Sequence, residues 1–396
     1  MEIARSKYYL AAQLVAAQNA PYYTKTKQGA KQLIRFIEAA SGYVSYVRLL
    51  PWFPTGEMVD YRKGSGKYAA FPWMPVKMKD KWTWDLDVYN EEYFSSLDNL
   101  IYVLTRAGFK IVFDLIDYCE SFLQMFKRKS PLWNNKQGLK FGDKEMTDRI
   151  KDFAGRVLKI LEYHAPYDFM IEIGNEIYAG EVGAEFVKEM VDWLVMRGIR
   201  LDRIIVPTAV LGGDYLHNIA KAARQKKNGI IPLKYSTLVP SVHLASFSGT
   251  KAEEISASRE MRWLLSSFSS VWLSTDGVGS IHNIEKDIDV QVTALNKMID
   301  LVHPYKARVF LEIQAGAYWW TGEDEFGYER PHYRLRYLPV GYFKDITERL
   351  KVDVEKRLGD VTGATIVLNR LVALHTPKGW KEILKNIFRK LWSWFK

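Results

Sequence analysis

The chain has 396 residues, 48% hydrophobic and 14% aromatic, and carries a formal net charge of +10 from 56 basic and 46 acidic side chains. That length suits one large α/β barrel with loop insertions, whose core needs no disulfide or metal staple. The single cysteine, Cys119, excludes a disulfide framework and a cysteine-based metal site within this chain.

The basic residues are mixed with acidic ones along the whole chain, so a solvated basic surface is expected rather than a nucleic-acid stripe. The amino terminus shows no basic region followed by a sustained apolar segment, and no long apolar run occurs elsewhere. The expectation is therefore a cytoplasmic or phage-encoded protein without a signal peptide or a transmembrane helix.

In chain order, strand-like apolar runs alternate with longer helical patterns. Tyr8–Val15 reads as a strand and Lys31–Ala40 as a helix, followed by a second strand over Tyr43–Leu50. Residues 51–90 read as a Trp-rich loop insertion holding four prolines and four tryptophans (Trp52, Trp73, Trp82 and Trp84). Tyr93–Ala107 is a helix stopped by Gly108, Lys110–Ile116 the third strand and Asp143–His164 a long amphipathic helix. The fourth strand opens Tyr167–Tyr178, YDFMIEIGNEIY; Val182–Arg197 is then helical, stopped by Gly198, and Arg203–Val210 is the fifth strand.

Tyr215–Lys227 is expected to be helical, Leu238–Ala245 a strand, Ala252–Phe268 a helix, Val271–Thr275 a strand and Ile288–Val302 a helix. Arg308–Gln314 and Ala364–Asn369 read as further strands, and Gly379–Phe395 as the last helix. Such repeated strand–helix units imply a parallel sheet, and no Gly-rich phosphate fingerprint follows the first strand. The fold class expected is a (β/α)8 barrel spanning residues 1–377, with 378–396 a basic amphipathic helix.

Nine strand candidates exceed the eight of such a barrel. One of Leu238–Ala245 and Val271–Thr275 is then an excursion, or the first strand is misassigned. Taking Ala364–Asn369 as the final strand puts Arg308–Gln314 seventh. Were Arg308–Gln314 the eighth instead, the sequence STDG with Asp276 would end the seventh.

Two of these runs finish on glutamate: IEIGNE at Glu176 and RVFLEIQAG at Glu312. Carboxylates at the carboxyl ends of buried parallel strands are placed for chemistry rather than packing. The pattern GNE at 174–176 on a fourth strand, with LEIQAG at 311–316 on a late one, resembles glycoside hydrolase clan A. That clan holds the barrel enzymes related to family 5 cellulases and mannanases. The resemblance implies a retaining glycosidase for β-linked glycans, with Glu176 as acid/base, Glu312 as nucleophile and Asn175 holding the sugar 2-hydroxyl. It also implies Arg48 beneath the nucleophile, on the second strand. Retention needs two carboxyl groups about 5–5.5 Å apart, one to protonate the leaving oxygen and one to attack the anomeric carbon.

The chain departs from the family pattern at His243-Leu244-Ala245, where the family has His-x-Tyr, and at Val367-Leu368-Asn369, where a tryptophan is usual. Those departures motivate the rival reading, a non-catalytic carbohydrate-binding or structural barrel, surface- or virion-associated. If Glu312 is on the eighth strand, Asp276 becomes the rival nucleophile.

Each candidate also has a plain structural reading. Asn175-Glu176 is an ordinary helix-starting pair, Glu172 is a structural partner for Arg48, and Arg48 is itself an ion-pair member. Asp114 and Asp117 read as rim residues, and His243 as core or substrate contact. Trp319 and Trp320, directly after Glu312, are candidates for stacking on sugar rings. No metal-ligand spacing occurs, and neither metal nor cofactor is implied; the implied partner is an oligo- or polysaccharide. Residues 378–396, KGWKEILKNIFRKLWSWFK, carry six basic residues against one acidic, which suits either the last barrel helix or weak contact with a membrane surface.

Overall fold

The structure, a computed structural model, describes residues 7–52, 70–79, 81–118, 130–175, 177, 180–208, 237–243, 259, 261–266, 268–274, 284–318, 333–335 and 338–375. Eight parallel strands close into a barrel in strict chain order. They are β1 (Lys7–Ala16), β2 (Tyr46–Leu50), β3 (Lys110–Asp114), β4 (Phe169–Glu172), β5 (Ile204–Thr208), β6 (Val239–His243), β7 (Ser270–Ser274) and β8 (Arg308–Gln314). β8 pairs back onto β1, with Glu312 level with Ala11.

Side chains alternate across a strand, so each barrel strand feeds two cores. Outward residues such as Leu10, Val47, Phe113, Ile171, Leu273 and Leu311 join one large apolar cluster with the surrounding helices. Inward residues Ala11, Tyr46, Val112, Met170, Trp272 and Phe310 form a second cluster inside the barrel. Its rings pack closely: Phe310 stacks on Trp272 with centroids 5.2 Å apart, and Tyr46 meets Phe310 edge-on at 5.1 Å. One step further toward the carboxyl ends, the inward positions turn polar, with Gln13, Arg48, Asp114, Glu172, Ser274 and Glu312 all buried.

The helices form where amphipathic spacing and caps coincide. Lys27–Ala40 starts at Thr26, whose Oγ1 accepts the Gly29 N–H at 3.0 Å, and Glu91–Arg106 starts at Asn90, which accepts the Glu92 N–H at 3.2 Å. Gly108 and Gly198 stop their helices in the left-handed region, at φ +89 and +87. In both stops the next residue's N–H reaches back to a helix carbonyl: Phe109 to Leu104 at 3.1 Å and Ile199 to Leu194 at 3.0 Å. Lys144–His164, Gly180–Met196 and Ile284–Val302 are further long helices.

Three expectations are corrected. Ala364–Asn369 lies within the helix Val361–Leu374, capped by Asp360 Oδ1 accepting the Gly363 N–H at 2.8 Å. Its apolar residues follow the helical period, with Ala364, Leu368 and Val372, four apart, forming the buried face. Leu238–Ala245 and Val271–Thr275 both contribute true barrel strands, as does the amino-terminal run, so Glu312 stands on the eighth strand rather than the seventh. The insertion after β2 is not wholly a loop, because Trp73–Met78 and Lys81–Tyr89 pair as an antiparallel hairpin. Trp52, Trp73 and Trp84 are fully buried there, with Trp52 and Trp73 packed beside Phe153.

The amino-terminal mouth is closed by a strap before the helix Val361–Leu374. Glu355 N–H donates to Tyr8 O at 2.8 Å, Ser45 Oγ donates to Glu355 O at 2.8 Å, and Asp360 N–H donates to Arg106 O at 3.2 Å. Beyond β8, Gly316–Tyr318 pairs antiparallel with Tyr333–Leu335. The expected helices Tyr215–Lys227 and Gly379–Phe395 lie outside the described residues, as does most of Ala252–Phe268. Among the described residues, no helix is long and apolar enough to cross a membrane.

Candidate active site

Arg48 is the centre of the polar layer. It projects inward from β2, two residues beyond Tyr46 of the apolar layer, and is completely buried. Its Nε donates to Glu172 Oε2 at 2.5 Å, Nη1 to Glu312 Oε1 at 3.3 Å, and Nη2 to Asn175 Oδ1 at 2.9 Å. Asp114 Oδ2 lies 3.7 Å from Nη2. One planar guanidinium thus ties together β2, β3, β4 and β8, a use that its fixed fork of donors suits better than a lysine would.

Burial on its own would pull the Arg48 pKa down, but Glu172, Glu312 and Asp114 outweigh it and raise that pKa well above the ordinary arginine value. Asp114 is the opposite case. Desolvation first, and the Glu172 charge second, push its carboxyl well above the usual range despite Arg48. The shift favours the protonated form of Asp114, which limits the excess of negative charge around the Arg48 guanidinium. Its Oδ1 accepts the Ile116 N–H at 3.3 Å.

Glu312 is held from several sides. Ser274 Oγ donates to its Oε1 at 3.1 Å, and the indole N–H of Trp272 donates to Oε2. With the Arg48 Nη1 contact, these bonds fix the orientation of the Glu312 carboxyl group. The side chain is only 1% exposed, so Glu312 sits within the barrel below its rim.

The strand-four motif is shaped by a close approach. A Cβ on Gly174 would stand 2.6 Å from Ile116 Cγ1 and 2.7 Å from Ile177 Cδ1, so any other residue would force those side chains to shift. Asn175 N–H then donates to Ile116 O at 2.8 Å, and Tyr118 N–H to Asn175 O at 3.1 Å. Asn175 Nδ2 donates to Asp117 Oδ1 at 3.0 Å.

Among the expected site residues, Arg48, Asn175 and Glu312 come together, and Glu172 is paired with Arg48. Asp114 and Asp117 are fully buried rather than on the rim. Asp114 continues the inward alternation past Val112, and Asp117, three residues on, meets Asn175. His243 ends β6 opposite Ser274, and its side chain lies outside the described residues, as do Glu176, Asp276, Trp319 and Trp320. Trp272 and Ser274 were not singled out by sequence. Their signal was the i, i+2 spacing in VWLSTDG, legible only once β7 is known to neighbour β8. Among the described residues, no group of His, Cys, Asp and Glu is arranged to hold a metal ion.

No protein-family model matches the sequence, and neither does any curated protein. Solved structures with a similar fold include a glycoside hydrolase family 5 subfamily 18 protein from Streptomyces cattleya in complex with GlcNAc. It is 14% identical, with TM-score 0.50, over 95% of this chain and 92% of that one. Another is a subfamily 18 protein from Bifidobacterium longum in complex with Manb1-4GlcNAc, 10% identical, with TM-score 0.51, over 93% of this chain and 88% of that one. At such identities the likeness is one of fold, the closed eight-stranded parallel barrel.

Proposed function

We propose that this protein is a retaining glycoside hydrolase acting on β-linked oligo- or polysaccharides, with Glu176 as the acid/base. The observation that supports it most is the Arg48 guanidinium bonded both to Asn175, the residue before Glu176, and to Glu312. That link couples the strand-four motif to a second carboxyl group held by three donors, the pair of groups that glycoside cleavage needs. Glu176 protonates the leaving oxygen and later activates water. Glu312 attacks the anomeric carbon, and Asn175 holds the neighbouring hydroxyl. His243, Trp319 and Trp320 are the remaining candidates for sugar contact.

A second reading of the nucleophile has its own support. Glu312 is on the eighth strand and almost wholly buried, whereas Asp276 follows Ser274 by two residues beyond β7. In that reading Asp276 attacks, and Glu312 is a fixed member of the Arg48 cluster.

The test is turnover of a panel of aryl β-glycosides. Glu176→Gln is expected to lower kcat by about 10²-fold or more, the scale of a positioned proton donor. Azide should restore turnover to Glu312→Gly if Glu312 attacks, and to Asp276→Gly if Asp276 does. Binding of glycans by the wild type with no sugar released would overturn the enzyme reading in favour of a non-catalytic barrel.

A further inference from the structure

We infer that Asp117 is the positioning residue for Asn175: it sets the orientation of the Asn175 amide, leaving one N–H free to meet a sugar hydroxyl. The inference deepens the glycosidase reading above and rests on it for the identity of the ligand.

An asparagine amide has two orientations of nearly equal shape, related by exchange of its oxygen and nitrogen, and only its partners distinguish them. Here both partners select the same one. Arg48 is a donor only, and its Nη2 meets Asn175 Oδ1 at 2.9 Å. Asp117 offers carboxylate oxygen, and its Oδ1 meets Asn175 Nδ2 at 3.0 Å. The exchanged orientation would set donor against donor and acceptor against acceptor, in a place where unpaired polar groups are costly.

The backbone adds to the clamp. Residues 117 and 175 form an isolated parallel bridge, with the hydrogen bonds Asn175 to Ile116 and Tyr118 to Asn175 on either side of it. Arg48 and Asp117 are 0% exposed and Asn175 is 6% exposed, so of the three only Asn175 keeps any accessible surface. Nδ2 carries two hydrogens, Asp117 takes one, and among the described residues no second acceptor meets the other.

The experiment compares an aryl β-glycoside with its 2-deoxy counterpart in the full chain. Wild type should favour the 2-hydroxyl substrate, since a group built to meet a hydroxyl discriminates against its absence. Asp117→Ala should lower kcat on the 2-hydroxyl substrate by about 10- to 100-fold, the range for one lost polar contact, and change the 2-deoxy rate by under about threefold. Asp117→Asn, which keeps an acceptor oxygen, should retain most of the discrimination. Equal losses on both substrates would mean a merely structural role and would overturn the inference.

A readout independent of turnover separates this from the glycosidase reading. The side-chain amide ¹H–¹⁵N signals of Asn175, assigned by their loss in Asn175→Ser, should move in Asp117→Ala and much less in Asp117→Asn. If wild type turns over no glycoside, the functional reading fails while this test still stands. Unmoved Asn175 signals in Asp117→Ala would sink the positioning role.

Discussion

Asp114 and Arg48 show how one buried charge organises its neighbours. The Asp114 carboxyl is raised above its ordinary value, so the folded chain keeps its proton at a pH where the unfolded chain has lost it. Its contribution to stability is therefore fully present below about pH 4, the unfolded value, and is lost as pH rises through the raised folded value. Asp114→Asn cannot ionise, so its stability relative to wild type should improve in urea unfolding as pH rises above about 4. Parallel profiles for the two proteins would contradict the raised pKa. Asp114 and Glu172 could each be read in sequence as inward residues of a strand, but not as partners. Their meeting depends on neighbours 58 residues apart in the chain being level in the barrel, Asp114 with Glu172.

At the scale of elements, the strand-four motif depends on Gly174 as much as on its polar residues. Gly174→Ala forces Ile116 and Ile177 apart, with overpacking of roughly 1–3 kcal/mol as the expected loss by denaturant unfolding. Turnover should fall further than that loss explains, because Asn175 follows directly and its bonds to Ile116 and Tyr118 must shift. A variant of unchanged stability and activity would show that the close approach is not needed. The helix stops at Gly108 and Gly198 were legible, since each is a glycine just past an amphipathic run. The helix Val361–Leu374 was not. Its run ATIVLN has the β-branched residues of a strand, and only its docking on the helices over β1 to β3 selects the helical period.

At the scale of the whole molecule, closure of the barrel base limits which sequences can fold. A Cβ on Gly359 would stand 1.8 Å from Ala107 O and 2.5 Å from Gly108 N, backbone atoms held by the helix stop. Gly359→Ala is expected to cost about 3 kcal/mol or more, in the upper tail of point substitutions, read as a lowered denaturation midpoint. An unchanged midpoint would show that the strap can move away.

The repetition is written in the chain itself: strand-like runs separated by amphipathic helices, with polar residues at the carboxyl ends of several strands. Local chemistry suffices for that, because alternation, caps and stop glycines act within a few residues. Which eight runs close the barrel, that Glu312 is on the eighth, and that Asp117 lies beside Asn175 emerge only in the folded chain. Those are facts of register between distant strands, and neither strand carries in its own spelling the level at which it meets the next.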